Sequence, residues 1–403
     1  MKTNNYKLVL GFPGSKVHPI AEKAFADYFP YQSNNIGVHT YDDEKQGNSL
    51  TPSKMMEAKC IAFWSDLLGA KAIDGYISAG GTENNLMGLW VARNKLRKEK
   101  KEGKTVVLRT QLSHYSLEKG TDLLCLDHLH DVPLNANWSM DATHLANDVD
   151  HLSAQGYTKF IVVVTIGNTV TGTVDDVAEI SSVLKKLKED RKDLRFYLHI
   201  DGAIGGYIIP FIDQESGRFF MHEEVDSMGL NSHKMGLTPY PGGIFLCRKG
   251  LLENVERPVK ILESMDRTLL GSRSGASAVA IYQMLMTWGV EGYRKNALQC
   301  IELKDYLMQQ ILELLPNSVV KTSAHSNMMG ICFKDLQNQT LPAVLENSYC
   351  LLGTNTTTLG MEDINKMYSF VVMPSTSKSD IDSFLAEFKI ELQSVALDAE
   401  AAS

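Results

Sequence analysis

Asp226-Ser-Met-Gly-Leu-Asn-Ser-His-Lys-Met-Gly236 runs into Thr238-Pro-Tyr-Pro-Gly-Gly243 and then into the apolar, strand-like Ile244-Phe-Leu-Cys-Arg248. A lysine at a strand end, inside a turn rich in glycine and proline, is oddly placed for a mere solubility charge. The amine of Lys234 can form a Schiff base when burial or a nearby cation lowers its pKa. Ser232 and His233, just before it, can hydrogen-bond a phosphate. Taken alone, Ser-His-Lys fits an ordinary surface turn equally well, so its meaning depends on what lies upstream.

Upstream, Arg195-Phe-Tyr-Leu-His-Ile-Asp201-Gly-Ala203 is an apolar run that ends in a carboxylate. It reads as a buried parallel strand with Asp201 at its C-terminal edge, which is where open α/β sheets bind ligands. Asp201 could also be a helix cap after a strand. A pyridine nitrogen kept protonated by a carboxylate is the electron sink of pyridoxal phosphate chemistry. Asp201 and Lys234 together have the look of a pyridinium partner and a Schiff-base lysine.

The preceding chain repeats the pattern. Ile73-Asp-Gly-Tyr-Ile-Ser-Ala-Gly80-Gly81-Thr82-Glu83-Asn84-Asn85 leads into a helix expected over Leu86–Glu99. A strand, a double glycine and a helix N-terminus form the layout of an anion site, with Thr82 able to cap the helix and touch a phosphate. An ordinary strand-to-helix turn has the same pattern. Val106–Arg109 is a short strand that delivers Ser113-His114-Tyr115-Ser116 to the start of another helix. An imidazole there could stack on a flat ring or polarise a carboxylate, or simply sit satisfied at a cap. Phe160–Gly167 is a β-branched buried strand ending in Asn168-Thr169-Val-Thr-Gly172, and Asp175 or Asp176 is expected to cap the helix that follows. Residues 70–235 thus alternate strand and helix, and polar residues recur after the strands: Thr82, His114, Thr169, Asp201 and Lys234. One polar loop per strand end is how a parallel sheet builds a cofactor site.

Composition sets the class. The chain has 403 residues, 44% hydrophobic and 22% charged, with a formal net charge of −8. That supports a soluble globular protein with a large core and argues against a general nucleic-acid binder. No apolar run has membrane-span length, and the polar start Met1-Lys-Thr-Asn-Asn-Tyr6 does not read as a signal peptide. The six cysteines form no Cys-x-x-Cys pair and read as reduced core residues of a cytoplasmic protein. No metal-ligand pattern stands out.

Gly80-Gly-Thr-Glu-Asn-Asn85, Ser113-His-Tyr-Ser116, Gly167-Asn-Thr-Val-Thr-Gly172, His199-Ile-Asp-Gly-Ala203, Ser232-His-Lys234 and Gly271-Ser-Arg-Ser-Gly275 occur in one order and at one rough spacing. In this the chain resembles the group II pyridoxal-phosphate-dependent amino acid decarboxylases, most closely the short bacterial histidine decarboxylases and plant serine decarboxylases. It is also similar to the archaeal tyrosine/aspartate decarboxylases. Gly11-Phe-Pro-Gly-Ser-Lys16 and Gly-Ser-Arg-Ser-Gly resemble sphingosine-phosphate lyases.

That resemblance implies a fold of type I (aspartate aminotransferase-like, α/β), with a mostly parallel seven-stranded sheet in a large domain and a small α/β C-terminal domain. It implies an N-terminal arm over residues 1–50, a large cofactor domain over 51–290, a small domain over 291–397 and a tail over 398–403. Lys234 would carry pyridoxal 5'-phosphate, Asp201 would pair with its ring nitrogen, and Ala203 would pack against the ring. His114 would stack on the other face, near the substrate carboxylate. Gly81, Thr82, Ser232 and His233 would hold the phosphate, and Thr169 would sit near the ring hydroxyl. Gly271 and Ser272 would reach the partner subunit's phosphate in a homodimer with shared sites.

The reaction expected is decarboxylation of an L-amino acid to its amine, with histidine first and serine, an aromatic or an acidic amino acid as alternatives. A carbon–carbon lyase for phosphorylated amino alcohols and a catalytically silent binding protein are the readings from other classes. Many relatives have a Tyr proton donor on the loop before Gly-Ser-Arg. Residues 260–270 here contain none, which leaves His114, Lys234 and Tyr240 as candidate donors and an aldehyde-forming side reaction open. Substrate selection is expected from residues 31–41, 260–270 and the loop near Leu351–Asn355.

Overall fold

The computed structural model describes residues 6–14, 16–31, 52–260, 264–359 and 363–402. Most of the 31–41 stretch and part of the 260–270 stretch, both expected to select the substrate, lie outside the described residues. The chain forms two units, one of residues 17–166 and 175–294, the other of residues 1–16, 167–174 and 295–403.

The first unit is built on a seven-stranded sheet. In chain order its strands are β1 Ile73–Ser78, β2 Lys104–Arg109, β3 His128–Asp131, β4 Tyr157–Thr165, β5 Arg195–Gly202, β6 Val225–Leu230 and β7 Gly243–Arg248. Their order across the sheet is β1-β7-β6-β5-β4-β2-β3. Only β7 runs against its neighbours, β1 and β6; the other pairs are parallel. Phe160–Thr165 of β4 and Phe196–Gly202 of β5 are buried throughout, as continuous β-branched and aromatic runs in a sheet covered on both faces should be. Register sets Thr165 beside Asp201, and Asp201 beside Gly229. The C-terminal ends of β4, β5 and β6 therefore finish level, and their loops share one edge.

Helices cover the sheet. The helix α3, Gly81–Glu99, buries Met87, Leu89, Val91, Ala92 and Leu96 against the strands. It starts five residues before the expected Leu86. Its cap is Gly80, which bonds through no side chain, and Thr82 is an exposed residue of the first turn rather than the cap. The helix α6, Val177–Asp190, is capped by Asp176, whose carboxylate accepts from the Glu179 backbone N–H at 2.9 Å. Asp175 does something else. It is buried, accepts from the backbone N–H groups of Met140 and Thr165 at 2.7 Å each, and has its pKa pushed up by burial to about 6.

The helix α2, Pro52–Leu67, turns Ser53, Glu57, Cys60, Ile61 and Trp64 inward, while Met56 and Phe63 are only half-buried. A glutamate on a core face needs a cation, and Arg273 supplies it. The long helix Gly275–Leu314 is two helices broken at Gly289, whose φ of 55° no β-branched residue would adopt comfortably. All six cysteines are free thiols; Cys125 is exposed rather than in the core.

The second unit has a four-stranded antiparallel sheet, Val319–Thr322, Met328–Cys332, Lys366–Val371 and Leu352–Asn355 in spatial order. Phe384 and Phe388 of the closing helix, Lys378–Ala402, pack with Phe333 and Phe370. That helix continues through the tail expected from Asp398. Near the start of the chain, Leu10 donates to Tyr349 O and accepts from Val371 N–H.

Candidate active site

The lysine turn connects β6 to the antiparallel β7, so it sits at the sheet edge where β5 also ends. Backbone bonds shape it tightly: Lys234 N–H donates to Asn231 O, Leu237 N–H to Lys234 O, Thr238 N–H to Ser232 O and His233 N–H to Gly242 O. Two tyrosines hold it from below. The Tyr207 hydroxyl bonds Ser232 Oγ at 2.7 Å, and Tyr293 donates to Gly236 O at 3.2 Å. A short helix, Pro19–Tyr28, closes it from another side: His18 N–H donates to Leu237 O, and Leu237 packs with Ala21, Ala280 and Met284. The lysine amine is partly buried. Burial lowers its pKa, and the carboxylate of Asp201 opposes that shift. A lysine in this state has a larger neutral, nucleophilic fraction near neutral pH than one in water.

A candidate anion site lies beside it. Gly80 has a φ of 143°, and a Cβ there would come within 2.8 Å of the His233 ring. Only glycine fits. A Cβ on Gly81 would stand 3.0 Å from Asn231. The first N–H groups of α3 have no carbonyl of their own helix to bond, and they carry the positive end of its dipole. His233 Nδ1 and Asn231 Oδ1 are buried and have no hydrogen-bond partner among the described residues. The Nδ1 would lie 3.6 Å from a Cβ on Gly80, so an unsatisfied polar atom faces the double-glycine turn. Burial and the neighbouring lysine pull the His233 pKa down to about 4, leaving a neutral ring, and Tyr240 stacks on it at 3.9 Å. A phosphate would accept from the first-turn N–H groups and from His233 with its proton on Nδ1; the Asn231 oxygen, itself an acceptor, would need a donor instead.

Asp201 and His114 form the other end. One Asp201 oxygen accepts from Asn85 at 2.8 Å and the other from Ala203 N–H at 3.1 Å, in a nearly buried position. His114 is half-buried and is held through Nδ1 by the Ser116 hydroxyl at 2.8 Å and the Ser116 N–H at 3.2 Å. Burial lowers its pKa; Asp201 raises it, and Lys234 and Lys119 lower it. Asp201, Lys234 and His114 thus sense each other's charge. A carboxylate, an amine of lowered pKa and a neutral imidazole at one strand edge can hold a protonated heterocycle, bond covalently to a carbonyl and orient a carboxylate.

Other expected site residues are placed differently. Thr82 is exposed on the first turn of α3. Thr169 is exposed in the 167–174 loop, which belongs to the second unit and is braced by Asn168 bonding Thr171 and Thr173. Gly271 and Ser272 are both exposed, on the approach to the long helix.

Sequence reasoning missed a buried network under the double-glycine turn. Arg273 forms an ion pair with Glu57, donates to Ile77 O at 3.0 Å and lies over the Tyr76 ring at 5.0 Å. Glu57 also accepts from Ile77 N–H at 2.6 Å. Tyr76 donates to Glu83 at 3.0 Å and accepts from Leu269 N–H at 3.4 Å, and Glu83 accepts from Ala79 N–H at 2.7 Å. One cluster therefore ties residues 269–273 to the end of β1 and the first turn of α3. Replacing Arg273 with Ala leaves the Glu57 carboxylate in the core without its cation. We expect a loss of about 3–5 kcal/mol of stability, read by urea unfolding; a loss under about 1 kcal/mol would mean that the pair is better solvated than its burial implies.

Known proteins share this architecture and sequence. The profile of the pyridoxal-dependent decarboxylase conserved domain matches residues 50–335. A tryptophan decarboxylase of Clostridium sporogenes is 32% identical over 78% of this chain and 78% of that protein. A probable L-tyrosine/L-aspartate decarboxylase of Methanocella arvoryzae is 30% identical over 95% of this chain and 93% of its own. A histidine decarboxylase of Vibrio campbellii is 28% identical over 77% of this chain and 76% of its own. Among solved structures, L-methionine decarboxylase from Streptomyces sp.590 superposes with a TM-score of 0.80 at 19% identity, covering 94% of this chain and 90% of that one.

Proposed function

The chain belongs to the pyridoxal-dependent decarboxylase family, and from that premise we propose that it decarboxylates a ring-bearing L-amino acid, with L-histidine as the first choice. Its class is that of a pyridoxal-phosphate-dependent amino acid decarboxylase, a carboxy-lyase of fold-type I. The residue roles are our reading. The observation that carries them is the meeting of Asp201, Lys234 and His114 at one sheet edge, beside an anion site with an unpartnered buried imidazole nitrogen.

In that reading Gly81, Ser232 and His233 hold the phosphate, with the first-turn N–H groups of α3, including that of Thr82. Asp201 keeps the ring nitrogen protonated, and Ala203 lies under the ring. Thr169 approaches the ring hydroxyl. Gly271 and Ser272 serve the partner's phosphate in a cytoplasmic homodimer. When bound, pyridoxal phosphate supplies an electron sink for the charge left at the substrate Cα. Lys234 would hold the cofactor covalently, and its lowered pKa leaves a larger neutral fraction of the amine for that bond. Asp201 sits in a nearly dry position, where a carboxylate would favour a protonated ring most strongly. His114 orients the leaving carboxylate. The donor of the proton to Cα is one of His114, Lys234 and Tyr240.

For the substrate, support comes from the relatives. They are named for tryptophan, for histidine and, as a probable decarboxylase of both, for tyrosine and aspartate, so ring-bearing substrates are the commoner class among those names. The test is carbon dioxide release from a panel of histidine, tryptophan, tyrosine, serine, aspartate and methionine at equal concentration. Highest kcat/KM with histidine supports the reading. Preference for tryptophan or tyrosine keeps the ring class and displaces histidine; preference for serine, aspartate or methionine overturns the class.

A further inference from the structure

Asn85 is buried in the first turns of α3 and faces β5. Its side chain is the hub of a chain of hydrogen bonds. Ser227 Oγ meets His199 Nδ1 at 2.8 Å, and His199 Nε2 meets Asn85 Oδ1 at 3.1 Å. Asn85 Nδ2 donates to Asp201 Oδ2 at 2.8 Å and to Ser116 Oγ at 2.9 Å. Ser116 Oγ meets His114 Nδ1 at 2.8 Å. Asn85, Ser116, His199, Ser227 and Asp201 are all buried, so each polar atom must find its partner within the chain.

The polarity of every bond follows from one fact. An amide oxygen against the Asp201 carboxylate would be repelled, so the amide nitrogen faces Asp201 and the oxygen faces His199. His199 must then donate from Nε2 and accept at Nδ1 from Ser227. The two amide hydrogens of Asn85 are both spent, one on Asp201 and one on Ser116. The Ser116 oxygen accepts one of them, and because the Ser116 backbone N–H also points at His114 Nδ1, that nitrogen is the acceptor and takes the hydroxyl hydrogen too. The backbone N–H of Ser116 points at the same Nδ1 at 3.2 Å. Two donors therefore converge on this nitrogen, and it cannot carry a proton without placing hydrogen against hydrogen.

We propose that Asn85 and Ser116 are positioning residues that hold His114 as the neutral tautomer with its proton on Nε2, so that it meets the substrate carboxylate as an uncharged donor. The proposal rests on the reading of His114 as the substrate-side imidazole. Its chemical sense lies in differential binding. An imidazolium would form an ion pair with the carboxylate and stabilise the ground state, whereas a neutral N–H orients the group and is released more easily as the charge leaves. The same Asn85 also anchors Asp201, so the group that governs the ring nitrogen and the group that governs the carboxylate are set by a single amide. The charges that face His114 among the described residues are Asp201, Lys234 and Lys119, with the Tyr115 ring at 4.3 Å. Burial and the two lysines favour the neutral ring as well.

The test is nitrogen NMR of the holoenzyme labelled with 15N-histidine, with the His114 signals assigned by their loss in His114→Gln. The expected spectrum at neutral pH has an unprotonated Nδ1 and a protonated Nε2. A proton on Nδ1, or a doubly protonated ring, overturns the proposal without recourse to any variant of the relay. Ser116→Ala then removes one of the two donors. The His114 pKa, followed through the same signals, is expected to rise by about one unit, and Ser116→Thr, which keeps the hydroxyl, should bring it back. An unmoved pKa in Ser116→Ala overturns the relay. If the pKa moves while the acid limb of kcat stays in place, the relay stands and the substrate-side role of His114 falls.

Discussion

Asp201→Ala is expected to leave a folded protein that still bonds its cofactor yet turns over about a thousandfold more slowly. The carboxylate sits nearly dry between the Asn85 amide and the Ala203 N–H, so no water can stand in for its charge at full strength. Without that charge the ring nitrogen loses its reason to stay protonated, and the electron sink is shallower at the moment it is needed. The effect should fall on kcat, since the phosphate and lysine contacts that hold the cofactor are untouched. Single-turnover carbon dioxide release at saturating cofactor measures it. Turnover within about tenfold of wild type would place the ring nitrogen against some other group and remove Asp201 from the role.

Lys234→Ala is expected to abolish covalent retention of the cofactor and to bring steady-state turnover down to the level of free pyridoxal phosphate. The visible band should disappear after desalting, and borohydride treatment should leave no modified peptide. The turn itself should survive, because its shape rests on backbone bonds and on Tyr207 and Tyr293 rather than on the lysine side chain. Anion binding at the double glycine is therefore expected to persist, and pyridoxal phosphate should still bind reversibly. A borohydride-stable adduct in this variant would assign the covalent bond to a different lysine.

The lysine, the aspartate and the double glycine were readable from sequence because each combines a residue type that does chemistry with a local pattern. An apolar run ending in Asp201 and a glycine pair before a helix need no distant partner to be noticed. The polar groups that organise them were not readable in this way. Asn85 belongs to the inward face shared by Leu89, Ala92 and Leu96, but a helix started at Leu86 leaves it in the preceding loop. Beginning the helix at Gly81 exposes an asparagine on an apolar face, which is the signal that was available. Arg273 lies in the Gly-Ser-Arg motif, yet its meaning depends on Glu57, 216 residues away, and on the strand residue Ile77 between them. Thr82 looked like a cap because threonine caps helices often; the positive φ that only glycine tolerates put the cap at Gly80 instead. The relation of residues 167–174 to the rest was equally hidden, since a loop between two buried strand and helix segments gives no hint that it packs with residues from the far end of the chain, where Ser369 donates to Val170 O.

The strand order has a consequence in time. Strand β1, which carries the double-glycine turn, lies at the sheet edge and pairs only with β7, the last strand of the sheet to be synthesised. Ile73 faces Arg248 and Ser78 faces Gly243, so a ribosome must add some 170 further residues before β1 gains its neighbour. Every pair from β2 to β6 can zip up earlier by short crossovers. Closure of so long a loop is entropically slow. The double-glycine turn thus gains its strand partner last during synthesis, after β5, which bears Asp201, is already in the sheet.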